Sequence, residues 1–229
     1  PLFLIDGLIP PDFRRILSRV FPGATCQRTT DVIPVSWRAH QGISDFLDQH
    51  PLSRKLLSVI ALNSSPLVYC DADVVCFRRP EHLLSNMRQQ TPTFIEELNG
   101  KAPIDSAVLA IAQSQGRSIN SALNSGLFFA PALSLSLAAV LDVVAQYAPP
   151  WRSWFTEQSL FGLLFSLNHG QPLPRNLYVV DTRGQFLGQK DFSYSHIVAR
   201  HFTFPVRHLM YRRGYRKLEQ TRRNTLYDA

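Results

Sequence analysis

One stretch of the sequence decides the fold, Leu67-Val68-Tyr69-Cys70-Asp71-Ala72-Asp73-Val74-Val75-Cys76-Phe77. It is apolar at nearly every position other than its two aspartates. Unbroken apolarity is typical of a central strand that helices cover on both faces, so we predict one strand across residues 67–77. Around it, short apolar runs alternate with segments of helical periodicity, such as residues 52–60. This alternation predicts an α/β fold, and a chain of 229 residues fits a single domain.

The two aspartates of this stretch point to a bound metal ion. Residues i and i+2 of a strand face the same side, about 6.6 Å apart along it, so Asp71 and Asp73 would repel each other and lose hydration. A hard divalent ion with oxygen ligands, Mg²⁺ or Mn²⁺, would offset both costs. In the alternative, the strand ends near Cys70 and both aspartates lie in a solvated loop. The apolar residues Val74 and Val75, which follow at once, argue against that alternative.

Three features surround the aspartates in a fixed order. A helix that carries Lys55 precedes the strand, the strand holds the aspartate pair, and Pro80 leads into the next helix. In this order the features resemble the central region of GT-A type glycosyltransferases. The resemblance implies a GT-A-like, Rossmann-type mixed sheet flanked by helices, in a single domain over residues 1–229. It also implies a transferase that takes a sugar from a nucleotide-diphosphate sugar, with Asp71 and Asp73 binding Mn²⁺ or Mg²⁺.

Three shorter motifs extend the resemblance to residue 201. They are Asn124-Ser125-Gly126, Glu157-Gln158 and Arg200-His201. In GT-A enzymes the first lines the sugar pocket, the second begins the helix that faces donor sugar and acceptor, and the last completes the metal site. The resemblance therefore implies a catalytic candidate, Glu157, three metal ligands, Asp71, Asp73 and His201, and a set of substrate-binding residues, Lys55, Asn124, Ser125, Gly126, Gln158 and Arg200.

The chemistry of sugar transfer explains why such residues would be needed. Cleavage at the anomeric carbon builds negative charge on the diphosphate leaving group, and a cation with basic side chains stabilises that charge where it develops. Lys55 and Arg200 would supply the additional positive charge. Asn124 and the backbone at Gly126 would hydrogen-bond sugar hydroxyls, since glycine permits close approach.

Each motif outside the aspartate pair also has a purely structural interpretation. A lysine such as Lys55 on an amphipathic helix is commonly solvated, and Asn-Ser-Gly is first of all a turn signal. Glu157 is favourable in the first turn of any helix because of the helix dipole. A histidine after a strand, such as His201, is commonly a hydrogen-bonded structural residue. These interpretations stay open at the level of the sequence.

Positive charge is concentrated near the C-terminus. The chain has 24 Lys and Arg against 17 Asp and Glu, and residues 200–223 alone contain eight basic residues and one acid. Such a segment prefers phosphate. Because no nucleic-acid module is recognisable, we expect no nucleic-acid partner. We expect closure over a pyrophosphate or peripheral contact with an anionic membrane, and the acceptor stays open among a sugar, a lipid-linked molecule and a protein.

Further features of the sequence limit the class of protein and its cellular setting. No run approaches eighteen apolar residues, which excludes a transmembrane helix. Three cysteines without a CxxC pair indicate a reducing, cytoplasmic setting. The chain begins at Pro1 inside a predicted strand, so we expect N-terminal residues to be missing. Two alternatives to a glycosyltransferase stay open: a nucleotidyltransferase acting on sugar phosphates, and a basic binding module without catalysis.

Overall fold

A computed structural model describes residues 1–97, 102–147, 153–180, 196–203, 207–216 and 219. Its helices are α1 (Pro11–Val20), α2 (Thr29–Val32), α3 (Gln41–Gln49), α4 (Ser53–Leu62), α5 (Glu81–Arg88), α6 (Ser106–Ser114), α7 (Leu137–Val144), α8 (Thr156–Leu167) and α9 (Arg207–Leu209), the last continuing into a π-helical turn, Met210–Gly214. Its strands are β1 (Leu2–Ile5), β2 (Thr25–Arg28), β3 (Leu67–Cys70), β4 (Val74–Cys76), β5 (Thr93–Glu96), β6 (Leu123–Ala130), β7 (Gln171–Pro172), β8 (Tyr178–Val180) and β9 (Ala199–His201).

The described strands form three sheets of mixed orientation. β1 and β2 pair in parallel. The second sheet has the order β3-β6-β5-β7, with β6 antiparallel to both β3 and β5. The third has the order β4-β9-β8, with β9 antiparallel to β4 and parallel to β8. Together with the helices packed against them, these sheets make up the predicted α/β class.

The central strand of the fold is β6, whose eight residues are all buried. Alternate side chains of a strand face opposite sides. Phe128 packs into a core built largely from α3, α4, α7 and α8, and its neighbours Leu127 and Phe129 pack on the other side with Tyr178 of β8. The strand covered on both faces is therefore β6. The interpretation of Asn124-Ser125-Gly126 as a turn is wrong, because β6 runs through the motif.

The prediction of one central strand across residues 67–77 is wrong. The stretch divides into β3 and β4, which belong to different sheets. A turn separates them, in which the N–H of Val74 donates to the carbonyl of Asp71 at 3.1 Å. Aspartate is a favoured first residue of such turns. β3 is an edge strand, and its apolar residues Val68 and Cys70 are exposed. The apolar run therefore marked two short strands on either side of a turn.

Two helices bring their first turns to the end of β3. α4 packs against α8, and both contribute to the core on one face of β6. α4 begins at Ser53 and carries Lys55 in its first turn, and α8 begins at Thr156 and carries Glu157 in its first turn. Among the helices in the described ranges, none is long and apolar enough to cross a bilayer.

Candidate metal-binding and active site

The turn after β3 places Asp71 in a network that fixes both of its carboxylate oxygens. The hydroxyl of Tyr69 donates to Oδ1 at 2.6 Å, and Lys55 Nζ donates to Oδ2 at 3.0 Å. Burial, and then the negative charge of Asp71, raises the pKa of Tyr69, so the phenol stays a donor. Tyr69 lies two residues before Asp71 in the sequence. Asp71 is therefore held in a defined orientation from β3 and from α4.

His201 joins the aspartates because of strand pairing. It is the last residue of β9, and the β4–β9 register places it opposite Val74, the residue after Asp73. Its Nε2 lies 3.1 Å from Oδ1 of Asp73 and 3.9 Å from Oδ2 of Asp71. One ligand atom from each of these three residues lies within 4.8 Å of the other two. The residues predicted as metal ligands thus converge.

The other ring nitrogen of His201 identifies the tautomer. The amide of Asn124 donates from Nδ2 to Glu97 Oε1 at 2.7 Å, so its Oδ1 is an acceptor and receives the N–H of Gly126 at 3.0 Å. The same Oδ1 lies 2.8 Å from Nδ1 of His201, which must therefore carry the proton. In a neutral ring, the lone pair of Nε2 then faces the carboxylate of Asp73. Two acceptors at this distance need a proton or a metal ion between them.

This donor set fits a divalent metal ion. It offers two carboxylates and the Nε2 atom of His201, whose tautomer is fixed because Nδ1–H donates to Asn124. Metal-bound histidines commonly donate their other ring N–H to such an acceptor. Carboxylate oxygens suit Mg²⁺ and Mn²⁺, and imidazole suits first-row transition metals.

Gly126 supports His201 and does not line the cavity. A Cβ atom on Gly126 would lie 2.3 Å from both Nδ1 and Cε1 of the His201 ring. We predicted that the missing side chain would let a sugar approach the backbone. In the structure the His201 ring occupies that space, so the prediction for Gly126 is corrected.

Asp73 also pairs with an arginine of the basic segment, the segment that the sequence analysis expected to close over a pyrophosphate. Arg207 of α9 donates to Oδ2 of Asp73 from Nε at 2.9 Å and from an Nη at 2.7 Å. Burial alone would raise the pKa of Asp73, but the hydrogen bond and charge of His201, followed by those of Arg207, outweigh it and lower the pKa to about 2. The only sequence signal for Arg207 is its place in the basic segment.

Arg200 is not part of the cavity, contrary to prediction. It precedes His201 in β9, and successive strand residues face opposite sides. The side chain is buried and its guanidinium lies 4.8 Å from the centre of the Phe202 ring. Arg207 places a guanidinium beside the aspartates instead. Much of the predicted basic segment lies outside the described residues, including 204–206, 217–218 and 220–223.

Glu157 is buried in the same network from the opposite wall. Lys55 Nζ lies 3.2 Å from its Oε1, and the hydroxyl of Ser125 lies 3.3 Å from its Oε2. Burial raises the pKa of Glu157, although the charge of Lys55 opposes the shift. For Lys55, burial would lower the pKa, but Glu157 and Asp71 together raise it. Lys55 is therefore an ammonium ion held between two carboxylates.

These groups line one open cavity of about 880 Å³, a size typical of small-ligand sites. Eight of the predicted residues line it: Lys55, Asp71, Asp73, Asn124, Ser125, Glu157, Gln158 and His201. The sequence analysis missed the aromatic side of the cavity, where Trp154 and Tyr211 are largely exposed. It missed Glu97 as well, which has no sequence signal because its role depends on Asn124. The functional roles of all these residues stay predictions.

The comparisons with known proteins bear on the fold. No protein-family model and no curated protein matches the sequence. Among solved structures, mouse xyloside xylosyltransferase 1 in its apo form matches over 90% of this chain and 84% of its own, with a TM-score of 0.53 and 10% sequence identity. The fold is GT-A-like. At this identity the likeness extends to the GT-A-like architecture alone, and the activity has to be argued from the site.

Proposed function

We propose that the chain is a metal-dependent glycosyltransferase that uses a nucleotide-diphosphate sugar as its donor. The observation that carries the proposal is the convergence of Asp71, Asp73 and His201 on one cavity in a GT-A-like fold. The solved neighbour named above is a xylosyltransferase, which supports sugar transfer as the class of reaction.

The leaving group would be bound at the aspartate end of the cavity. Asp71, Asp73 and His201 would hold Mn²⁺ or Mg²⁺, and the bound ion would supply positive charge to the diphosphate. Lys55 and Arg207 add two cations within hydrogen-bond distance of the aspartates. Positive charge placed in advance stabilises the charge that develops on the departing diphosphate.

The donor sugar would lie against the polar wall of the cavity. Asn124, Ser125 and Gln158 supply hydrogen-bonding groups there, and Glu157 supplies a buried carboxylate. Cleavage at the anomeric carbon leaves positive charge on the sugar, which a nearby carboxylate would stabilise. We assign this role to Glu157, with Lys55 and Ser125 holding its two oxygens.

The first prediction concerns Asp73. Replacing Asp73→Asn removes one anionic ligand. Loss of a residue that only hydrogen-bonds a metal ligand already lowers metal affinity about tenfold, so we expect loss of the ligand itself to lower Mn²⁺ affinity by more than that. Isothermal titration with MnCl₂, followed by UDP, GDP, ADP and CDP in the presence and absence of Mn²⁺, measures both events. The parent should bind one of these nucleotides only when Mn²⁺ is present, and Asp73→Asn should lose this Mn²⁺-dependent binding.

The matched control is Asp142→Asn, which removes the same charge from a half-exposed ion pair with Arg117. It should bind Mn²⁺ and nucleotide as the parent does. Equal Mn²⁺ affinity of Asp73→Asn and the parent would contradict the metal assignment.

The released product distinguishes the two enzyme classes. A glycosyltransferase releases a nucleoside diphosphate from a nucleotide-diphosphate sugar, whereas a nucleotidyltransferase releases pyrophosphate when it joins a nucleoside triphosphate to a sugar phosphate. Binding without any turnover of donors would favour the basic binding module.

A further inference from the structure

Three of the four carboxylate oxygens of the aspartate pair already accept a hydrogen bond, and the fourth faces a ring nitrogen of His201. Asp71 is bound by Tyr69 and Lys55, and Asp73 faces His201 through Oδ1 and Arg207 through Oδ2. Two side-chain cations therefore already offset the two carboxylates. A divalent ion that enters this cluster meets positive charge as well as ligands.

The two resident cations differ in how firmly they are held. Lys55 is largely buried, and its ammonium contacts three acceptors, on Asp71, Ser125 and Glu157. The Arg207 side chain is 59% exposed, and the described contacts of its guanidinium in the site are the two to Asp73. Moving Arg207 into water would leave one buried acid, Asp73, whose charge an incoming metal ion would offset. Moving Lys55 would leave both the buried Glu157 and the half-buried Asp71 without a cation. Arg207 is the cation that can leave.

We propose that Arg207 is a displaceable counter-cation that occupies Asp73 until a divalent ion binds and then transfers to the donor diphosphate. This inference rests on the proposed function and goes beyond it, because it assigns Arg207 two alternate partners. The guanidinium has a planar fork of donors that matches phosphate as well as carboxylate. Arg207 also lines the same cavity as the aspartates, so the diphosphate would lie within its reach.

The proposal predicts opposite effects of Arg207→Gln on two ligands. With MnCl₂ alone, the variant should bind about tenfold more tightly, because the ion no longer has to displace the charge-assisted contact between Arg207 and Asp73. With sodium pyrophosphate added to the Mn²⁺-saturated protein, it should bind about tenfold more weakly, because a charge-assisted bidentate contact is lost. Both affinities are measured by isothermal titration. Arg207→Lys, which keeps the charge without the fork, should lie between Gln and the parent for both ligands.

The controls test whether the effects depend on Arg207 itself and not on the loss of any positive charge. They also distinguish failure of the exchange from failure of the proposed function. Arg216→Gln removes the same charge from an exposed residue of the same segment and should match the parent for both ligands. If Arg207→Gln binds Mn²⁺ no more tightly than the parent, or binds pyrophosphate equally well, the exchange is overturned while the metal site stands. If neither protein binds Mn²⁺ at all, the proposed function fails and the exchange fails with it. Circular dichroism confirms that each variant is folded.

Discussion

At the scale of single residues, the candidate site depends on how little room His201 has. Its ring lies over Gly126 and its Nδ1 faces the amide of Asn124. The sequence analysis selected all three residues, but it assigned Asn124 and Gly126 to a sugar. It could not see that they orient a histidine 77 residues away in the sequence, because that contact depends on the pairing of β9. The sequence also did not show which arginine reaches the site. Arg200 faces away from the cavity because successive residues of β9 face opposite sides, and Arg207 reaches Asp73 from α9.

The prediction at this scale concerns Gly126→Ala. The new methyl group would overlap the His201 ring, so the ring must move away from Asp73 or the strand must shift. We expect a loss of about 1–3 kcal/mol in the free energy of unfolding, as is usual for overpacking, and a fall in Mn²⁺ affinity. Urea denaturation and titration with MnCl₂ measure the two effects.

Gly42→Ala in α3 is the control for this variant. Its Cβ would approach the carbonyl oxygen of Val144 at 3.2 Å, which asks only for a small adjustment. This control should retain Mn²⁺ binding. Unchanged Mn²⁺ affinity in Gly126→Ala would show that the position of the His201 ring does not matter to the site.

At the scale of elements, the alternation of helices and strands could be predicted from periodicity, but the pairing of strands could not. The apolar run across residues 67–77 indicated a buried strand, and hydrophobicity alone does not show that a turn at Asp71 sends its second half into another sheet. Conversely, the Asn-Ser-Gly motif suggested a break in β6, where the tertiary packing of both faces keeps the strand continuous. The two carboxylates of the aspartate pair do lie close together, although a turn, not a strand face, places them there.

The prediction at this scale concerns Phe128 of β6. Its ring is fully buried and stacks on Tyr69, with centroids 5.1 Å apart, while Phe161 and Phe165 of α8 pack beside it. Phe128→Ala should lower the free energy of unfolding by about 3–5 kcal/mol. Because Tyr69 positions Asp71, Mn²⁺ affinity should fall as well. Urea denaturation at fixed pH and titration with MnCl₂ provide the measurements.

Phe21→Ala provides the comparison for Phe128. Phe21 is 45% exposed beside Phe3 at the end of α1. Its removal should cost less than about 1 kcal/mol and leave Mn²⁺ binding as in the parent. Similar losses of stability in the two variants would contradict the assignment of β6 as the centre of the core.

At the scale of the whole molecule, Asp73 connects the first half of the chain to its end. Its carboxylate contacts His201 on β9 and Arg207 on α9, 128 and 134 residues further along. The basic segment thus has at least one acidic partner within the protein. The membrane contact and the cytoplasmic setting that the sequence suggested stay predictions.

This connection predicts a pH dependence of stability in the metal-free protein. The pKa of Asp73 is about 2 in the folded state, against an ordinary value of 3.8. A lowered pKa contributes stability that is present above the unfolded value and is lost as the pH falls toward the folded value. We therefore expect about 2 kcal/mol to disappear between pH 4 and pH 2.

Urea denaturation in EDTA across this range measures the loss. Asp73→Asn has no titratable group at position 73. Between pH 4 and pH 2 its free energy of unfolding should therefore fall by about 2 kcal/mol less than that of the parent. Asp142→Asn should retain the slope of the parent. Parallel curves for Asp73→Asn and the parent would show that the connection contributes nothing to stability.

The distance in sequence between the two aspartates and His201 also matters during synthesis. Ribosomes release a chain from its N-terminus, so Asp71 and Asp73 emerge long before β9 exists to bring His201 beside them. Contacts between such distant residues form late in folding. A growing chain therefore carries two aspartates without the histidine, and strong metal capture should begin only when the β4–β9 pairing closes. Under the proposed function, acquisition of the ion would then mark the moment at which β9 joins β4.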